Sequence, residues 1–204
     1  MKAITLFNQW VDLGKDHGME LNHAHSVDYM ISLIPDKISN KKFSFLDIGC
    51  GNGWVVKHFS KVNNCTLSVG VDGAKKMIEK AILRDKKSIY LNLNINNLDN
   101  YTNTFDVVFS MEVFYYLKDP KSVIEYVFKH LLNPGGFFIL GIDHYLENST
   151  SLSWPNDLNV DMKTYSMVQW KKMFENTGFS NISISQNGKK KNWEGTLVLS
   201  GSKY

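Results

Sequence analysis

The stretch Phe45-Leu-Asp-Ile-Gly-Cys-Gly-Asn-Gly-Trp54 constrains this chain more than any other. A buried-looking apolar run delivers Asp47 and three alternate glycines, Gly49, Gly51 and Gly53, where a strand would turn into a helix. Glycine permits positive φ in such a turn and lets a ligand lie against bare backbone. A second apolar run, Leu67 to Val71, ends in Asp72, twenty-one residues past Gly51. An acid at the tip of the next strand suits a ribose diol. The two runs read together as a nucleoside-binding βαβ unit.

The dinucleotide fingerprint G-x-G-x-x-G needs a third glycine so that the helix can approach and aim its N-terminus at a pyrophosphate. Counting from Gly49, that place holds Trp54; counting from Gly51, it holds Val56. The loop therefore suits a ligand without a pyrophosphate. Its pattern, Asp-x-Gly-x-Gly-x-Gly, resembles motif I of the class I S-adenosylmethionine-dependent methyltransferases, of the small-molecule "type 11"-like kind. Asp72 matches their ribose-binding acid, and Asn94-Ile95 their acid-plus-apolar pair at the adenine. Phe105 to Ser110 with Met111-Glu112 matches the fourth strand, and Leu131-Leu-Asn-Pro-Gly-Gly-Phe137 the turn into the fifth. The resemblance covers roughly residues 43 to 142.

The resemblance implies a Rossmann-like, doubly wound α/β fold, with a seven-stranded, mostly parallel sheet whose last strand is antiparallel. It implies S-adenosylmethionine as methyl donor and S-adenosylhomocysteine as product. The implied cofactor site comprises Asp47, Gly49, Cys50, Gly51, Asn52, Gly53, Asp72, Gly73, Asn94, Ile95, Ser110 and Met111. Asp47 in such proteins mostly braces the loop. Asn94 departs from the usual Asp: its carbonyl still accepts a hydrogen bond, but with less charge.

Short apolar strands at Phe43–Ile48, Leu67–Val71, Ile89–Leu93, Phe105–Phe109 and Phe137–Ile142 alternate with helical segments, as in a parallel sheet covered on both faces. Asp119 before Pro120 predicts a capped helix running to about Leu132. Ser166 with Gln169 forms a capping box, Gly178 a stop, and Ile182–Ser185 with Thr196–Leu199 a closing hairpin. A length of 204 residues suits one domain. Its expected parts are an N-terminal helical segment (residues 1–42), the core (43–142), an acceptor-side segment (143–165) and a C-terminal helix and hairpin (166–204). In this fold the N-terminal part usually covers the bound cofactor, as the resemblance implies.

A net charge of +3 gives little reason to expect a nucleic-acid partner. The two cysteines, Cys50 and Cys65, suit reduced thiols of the cytoplasm better than a disulfide framework. Asp12 and Lys15 interrupt the N-terminal apolar residues, so no secretory leader is expected, and no apolar run reaches bilayer length. No metal site is expected, because His17, His23 and His25 lack a cysteine or carboxylate cluster at ligand spacing.

Candidate catalytic residues are His17, His23, Glu112 and Tyr116. Either histidine suits acid/base work or acceptor contact, the alternative being a solvated side chain. Glu112, just past the fourth strand, suits contact with the methionine moiety or the acceptor, or else an ion pair. Tyr116 stands where relatives that make quinones and small O-methylated metabolites often carry His. A phenol is a poor base at neutral pH, so it suits a pocket wall, a cation–π contact or the core. Transfer from an activated sulfonium needs in-line approach and exclusion of water more than acid/base machinery. The expected activity is methyl transfer to a small-molecule acceptor. An RNA or protein acceptor, or a non-enzymatic nucleoside-binding subunit, are the alternatives.

Overall fold

The computed structural model describes residues 2–98 and 101–204. Seven strands form one sheet: β1 (Phe43–Ile48), β2 (Cys65–Asp72), β3 (Ile89–Asn92), β4 (Phe105–Met111), β5 (Leu132–Ile142), β6 (Ser180–Asn187) and β7 (Thr196–Ser202). Their order is β3-β2-β1-β4-β5-β7-β6. The first five run parallel, while β7 is antiparallel to both β5 and β6. This is the expected mostly parallel, doubly wound sheet.

The helices are α1 (Ala3–Asp12), α2 (His17–Ser32), α3 (Asp36–Ser39), α4 (Trp54–Phe59), α5 (Lys75–Arg84), α6 (Pro120–Tyr126), α7 (Trp154–Asp157) and α8 (Met167–Thr177). Two apolar cores lie on opposite faces of the sheet. One holds Leu46, Ile48, Phe138, Trp170 and Phe174. The other holds Phe45, Val56, Phe59, Phe109 and Met30, with Phe45 and Phe59 stacked at 3.7 Å. Because β1 is covered on both faces, its run lacks polar alternation, and each fully buried side chain of this kind is worth about 1.5–3 kcal/mol.

Local signals set several boundaries. The Asp119 side chain accepts from the Ser122 N–H, and Pro120 opens α6. Ser166 and Gln169 exchange both bonds of a capping box, and Gly178 ends α8 at φ 101°. Beyond Tyr126 the expected α-helix changes instead into a wider π turn, Val127–Leu131. Strand β5 begins at Leu132 rather than Phe137. Leu132 pairs with Phe105 and Phe137 with Val107, so Asn133 to Gly136 form a bulge within the strand. The segment from Gly14 to His23 largely belongs to α2. Asp16 and Glu20 are bonded to Lys80 and Arg84 of α5, which the local sequence does not announce.

Candidate functional site

The carboxyl ends of β1, β2, β4 and β5 open into a cavity of about 820 Å³. That lies in the upper part of the usual range for ligand sites, about 300–1,000 Å³. On one side of it Gly49, Gly51 and Gly53 all adopt left-handed φ, at 81°, 51° and 77°. The Gly49 and Cys50 N–H groups donate to the Val71 carbonyl, which ties the loop to the end of β2. Asp72 completes the tie: Oδ2 accepts from the Gly51 N–H at 2.9 Å and Oδ1 from the Ala74 N–H at 2.7 Å. The acid expected to meet the ribose is thus a brace of the glycine loop.

Asp47 is only 3% exposed and lines the same cavity. Burial, reinforced by the charge of Asp72, pushes its carboxyl well above the usual range. Asp72 is raised by burial too, and the two N–H bonds from Ala74 and Gly51 oppose that. A buried and a half-buried acid beside bare backbone call for a ligand bringing hydroxyl donors and positive charge. S-adenosylmethionine, with a ribose diol, an ammonium and a sulfonium, has that chemistry, so the residues fit it.

The N-terminal helices form the opposite wall. Met19 Cε lies 2.7 Å from where a Cβ on Gly51 would sit, and Ile4 Cδ1 the same distance from one on Gly73. Phe7 meets Trp10 and Tyr116 edge-on, at 5.2 and 5.3 Å. Gly49, Cys50, Gly51, Gly73, Asn94, Ile95 and Met111 line the cavity together with Asp47 and Asp72. Asn94 also caps the short turn Ile95–Asn97, its side chain accepting from the Asn96 N–H.

Three residues of the implied cofactor set stand behind that wall. Ser110 is fully buried and donates to the Ile48 carbonyl, linking β4 to β1. Gly53 opens α4, packed too closely against Ala81 and Tyr90 to admit a Cβ. The Asn52 amide donates to the Asp16 carbonyl and accepts from Arg84, joining the glycine loop to the N-terminal helices.

The far end of the cavity holds His23, Glu112, Tyr115, Tyr116, Asp143, Trp154, Asn187 and Trp193, with His17 outside this group. Glu112 has left-handed backbone, φ 62°, unusual for a residue with a side chain and worth about 1–3 kcal/mol of local strain. Its Oε2 accepts from the Tyr115 hydroxyl at 2.7 Å and its Oε1 from the Asp143 N–H. Burial first, and then the charge of Asp143, pushes Glu112 well above the usual carboxylate range. Burial also raises Asp143, against the Thr196 hydroxyl and His23. His23 Nδ1 stands 3.9 Å from Asp143 Oδ2. Burial lowers His23 and Asp143 pulls it back up, leaving it below its ordinary value. Tyr116 is pushed above the normal phenol range by burial, which keeps it protonated.

Sequence reasoning did not single out Asp143, Asn187 or Trp193. For Asp143 a signal existed: it is the first polar residue after the apolar run of β5, at the carboxyl end where open α/β sheets bind ligands. Asn187 and Trp193 reach the cavity only through the hairpin geometry. Among the described residues no group of His, Cys, Asp and Glu is placed to hold a metal ion. No helix among them is long and apolar enough to cross a membrane.

Comparison with known proteins agrees with this geometry. Residues 23–184 match the model of a methyltransferase domain family. The mitochondrial ubiquinone biosynthesis O-methyltransferase of Dictyostelium discoideum is 32% identical over 61% of this chain and 41% of its own length. The tRNA U34 carboxymethyltransferase of Aliivibrio salmonicida is 28% identical over 74% of this chain and 49% of its own. The chain thus spans less than half the length of these two relatives. An S-adenosylmethionine-dependent methyltransferase from Mesorhizobium loti has the same fold, with a TM-score of 0.75 over 90% of this chain and all of its own, at 16% identity. The chain belongs to the methyltransferase-domain family and has the fold of that S-adenosylmethionine-dependent methyltransferase.

Proposed function

We propose that this protein transfers the methyl group of S-adenosylmethionine to a small-molecule acceptor. One observation carries the reading. Beyond the glycine loop the cavity continues into a chamber walled by Trp154, Trp193, Tyr115, Tyr116 and the N-terminal helices. A side chamber of that kind suits a compact acceptor better than a nucleic-acid duplex, which binds along an exposed basic surface. The free thiols of Cys50 and Cys65 suit a reducing compartment such as the cytoplasm.

In this reading Asp72 takes the ribose hydroxyls, Asn94 and Ile95 flank the adenine, and the Gly49–Gly51 backbone leaves room for the methionine portion. When bound, the sulfonium supplies an already activated methyl group. The chain orients the acceptor for in-line approach, with Glu112 and Tyr115 fixed to one another, and keeps water out with Phe7, Trp10 and Met19. His23 and Asp143 are placed to take a proton from the acceptor.

Incubation with S-adenosylmethionine carrying a labelled methyl group, against a small-metabolite extract and against total tRNA, tests the proposal. Label in a small metabolite is expected. Label confined to tRNA would replace it with the RNA reading, which the similarity to tRNA-modifying enzymes makes the natural second arm.

A further inference from the structure

We infer that the acceptor is an amine, entering the chamber as an ammonium and held by Asp143, Asn187 and the aromatic walls. This rests on the small-molecule reading above and names the acceptor's chemistry.

The observation behind it is a shortage of donors. Asp143 is 5% exposed, and its Oδ1 is buried without a hydrogen-bond partner. Asn187 Oδ1 is likewise buried and unpartnered. Both residues line the chamber. Strand register sets them on one row: Ile142 pairs with Leu197 and Asn187 with Thr196, so Asp143 and Asn187 flank Thr196 at one end of the sheet. The Thr196 hydroxyl lies 2.7 Å from that of Ser26 and also bonds the Asp143 carboxyl, whose Oδ1 still has no partner. Two buried oxygens left without donors, in side chains that line the cavity, are satisfied by a donating ligand once those side chains turn toward it. Leaving a buried acceptor unpaired is costly, so the preference is substantial.

Charge and aromatic surroundings narrow the donor to a cation. Glu112, Asp143 and the exposed Asp157 are the carboxylates on this part of the lining, and none forms an ion pair with Lys or Arg among the described residues. Lys190, the lysine on the wall, is exposed. Trp154 stacks with Trp193 at 6.0 Å, Tyr115 and Tyr116 lie tilted at 4.3 Å, and all four rings belong to the lining of the same cavity. Aromatic faces with a carboxylate are the usual recognition surface for ammonium groups. A carboxylate or phosphate acceptor would meet like charge here, and a neutral alcohol would leave the Asp143 charge unpaired.

The chemistry closes. The ammonium releases one proton to the Asp143–His23 pair, freeing the nitrogen lone pair. That pair forms the N–C bond while the methyl C–S bond breaks, and sulfur keeps the electrons of the broken bond. The products are the N-methylammonium and S-adenosylhomocysteine, with the one released proton passing to solvent.

The test uses the full chain saturated with S-adenosylhomocysteine and three probes of one skeleton: 2-phenylethylamine, 2-phenylethanol and 3-phenylpropanoate. Calorimetry should give at least fivefold tighter binding of the amine than of either other probe. Asp143→Asn should remove most of that advantage while S-adenosylhomocysteine still binds within twofold, which reports an intact fold. Asn187→Asp, which adds charge, should tighten the amine and serves if Asp143→Asn does not fold. Equal or stronger binding of the alcohol or carboxylate, or an amine advantage untouched in the variants, overturns the inference. Methyl label then found in an alcohol or acid metabolite would leave the small-molecule reading standing and the amine refuted. Label found in tRNA alone would remove both.

Discussion

Lys80 Nζ lies 2.6 Å from Asp16 Oδ1, and this pair is the middle rung of a three-rung ladder joining the N-terminal segment to α5. Lys76 meets Asp12 at 2.6 Å on one side and Arg84 meets Glu20 at 2.8 Å on the other. The partners are 64 residues apart at every rung, because both rows advance four residues at a time. Along a helix that step keeps side chains on one face. The rungs hold Met19 over the glycine loop and Ile4 over Gly73.

The middle rung should dominate. The Asp16 side chain is 2% exposed, whereas the Asp12 and Glu20 side chains are 55% and 47% exposed. Exposed pairs contribute about 0–1 kcal/mol, and a charge-assisted bond to a buried group about 1.5–3. Asp16→Ala should therefore speed S-adenosylhomocysteine release by about tenfold or more, and Asp12→Ala by less than about threefold. Stopped-flow displacement measures both. Burial raises the Asp16 carboxyl, but the bonds from Lys80 and Asn52 outweigh it and leave it lowered. A lowered carboxyl contributes stability above its ordinary value of 3.8, and that contribution is lost as the pH falls through the folded value. Fast amide exchange in α1 with the ligand bound at neutral pH would refute the latch.

Gly51→Val should abolish S-adenosylhomocysteine binding with the far-ultraviolet circular dichroism retained. Valine is strained at φ 51°, and its Cβ would collide with Met19. Asp72→Ala is expected to be more damaging than loss of a ribose contact alone. It frees the Gly51 and Ala74 N–H groups that hold the loop and the start of α5. A larger melting-temperature drop in Asp72→Ala than in Gly51→Val would separate brace from steric block.

Tyr115→Phe tests the chamber floor. It removes the donor to Glu112 Oε2 and leaves a buried carboxylate short of one partner, at a cost of about 1–3 kcal/mol. The loss should be visible in urea denaturation, and turnover should fall more than S-adenosylhomocysteine affinity because Glu112 belongs to the acceptor end. Unchanged stability would mean that the hydroxyl is idle.

Much of the fold was legible because its signals are local. The runs of β1 and β2, the Asp119–Pro120 start and the Ser166–Gln169 box each act within a few residues. The glycine loop was legible for the same reason. The ladder was not, since Asp16 and Lys80 are individually ordinary surface residues until α1 and α2 fold back on α5. The β5 bulge was hidden too: Asn133-Pro134-Gly135-Gly136 carries turn chemistry, and only pairing with Phe105 draws Leu132 into the sheet. Asp143 and Asn187 meet through the register of β7, which no window of sequence contains.

The last prediction concerns pH. His23 acts in the proposed reaction as a neutral acceptor of the proton, so activity requires the pH to lie above its folded value. Burial sets that value below the ordinary 6.5, with Asp143 opposing the shift. The acid limb of kcat/KM should therefore lie below pH 6.5. Glu112 and Asp143 face the same space, and both are raised by burial, so the limb reports coupled groups rather than one. Asp143→Asn removes the negative charge that favours the imidazolium, so it should move the His23 limb to still lower pH while weakening the acceptor. His23→Gln should flatten the limb and lower turnover by about 10²–10⁴-fold if proton removal is limiting, with S-adenosylhomocysteine affinity little changed. Rate profiles of the three proteins decide it: a limb above pH 6.5, or one that His23→Gln leaves in place, would take the base role away from His23.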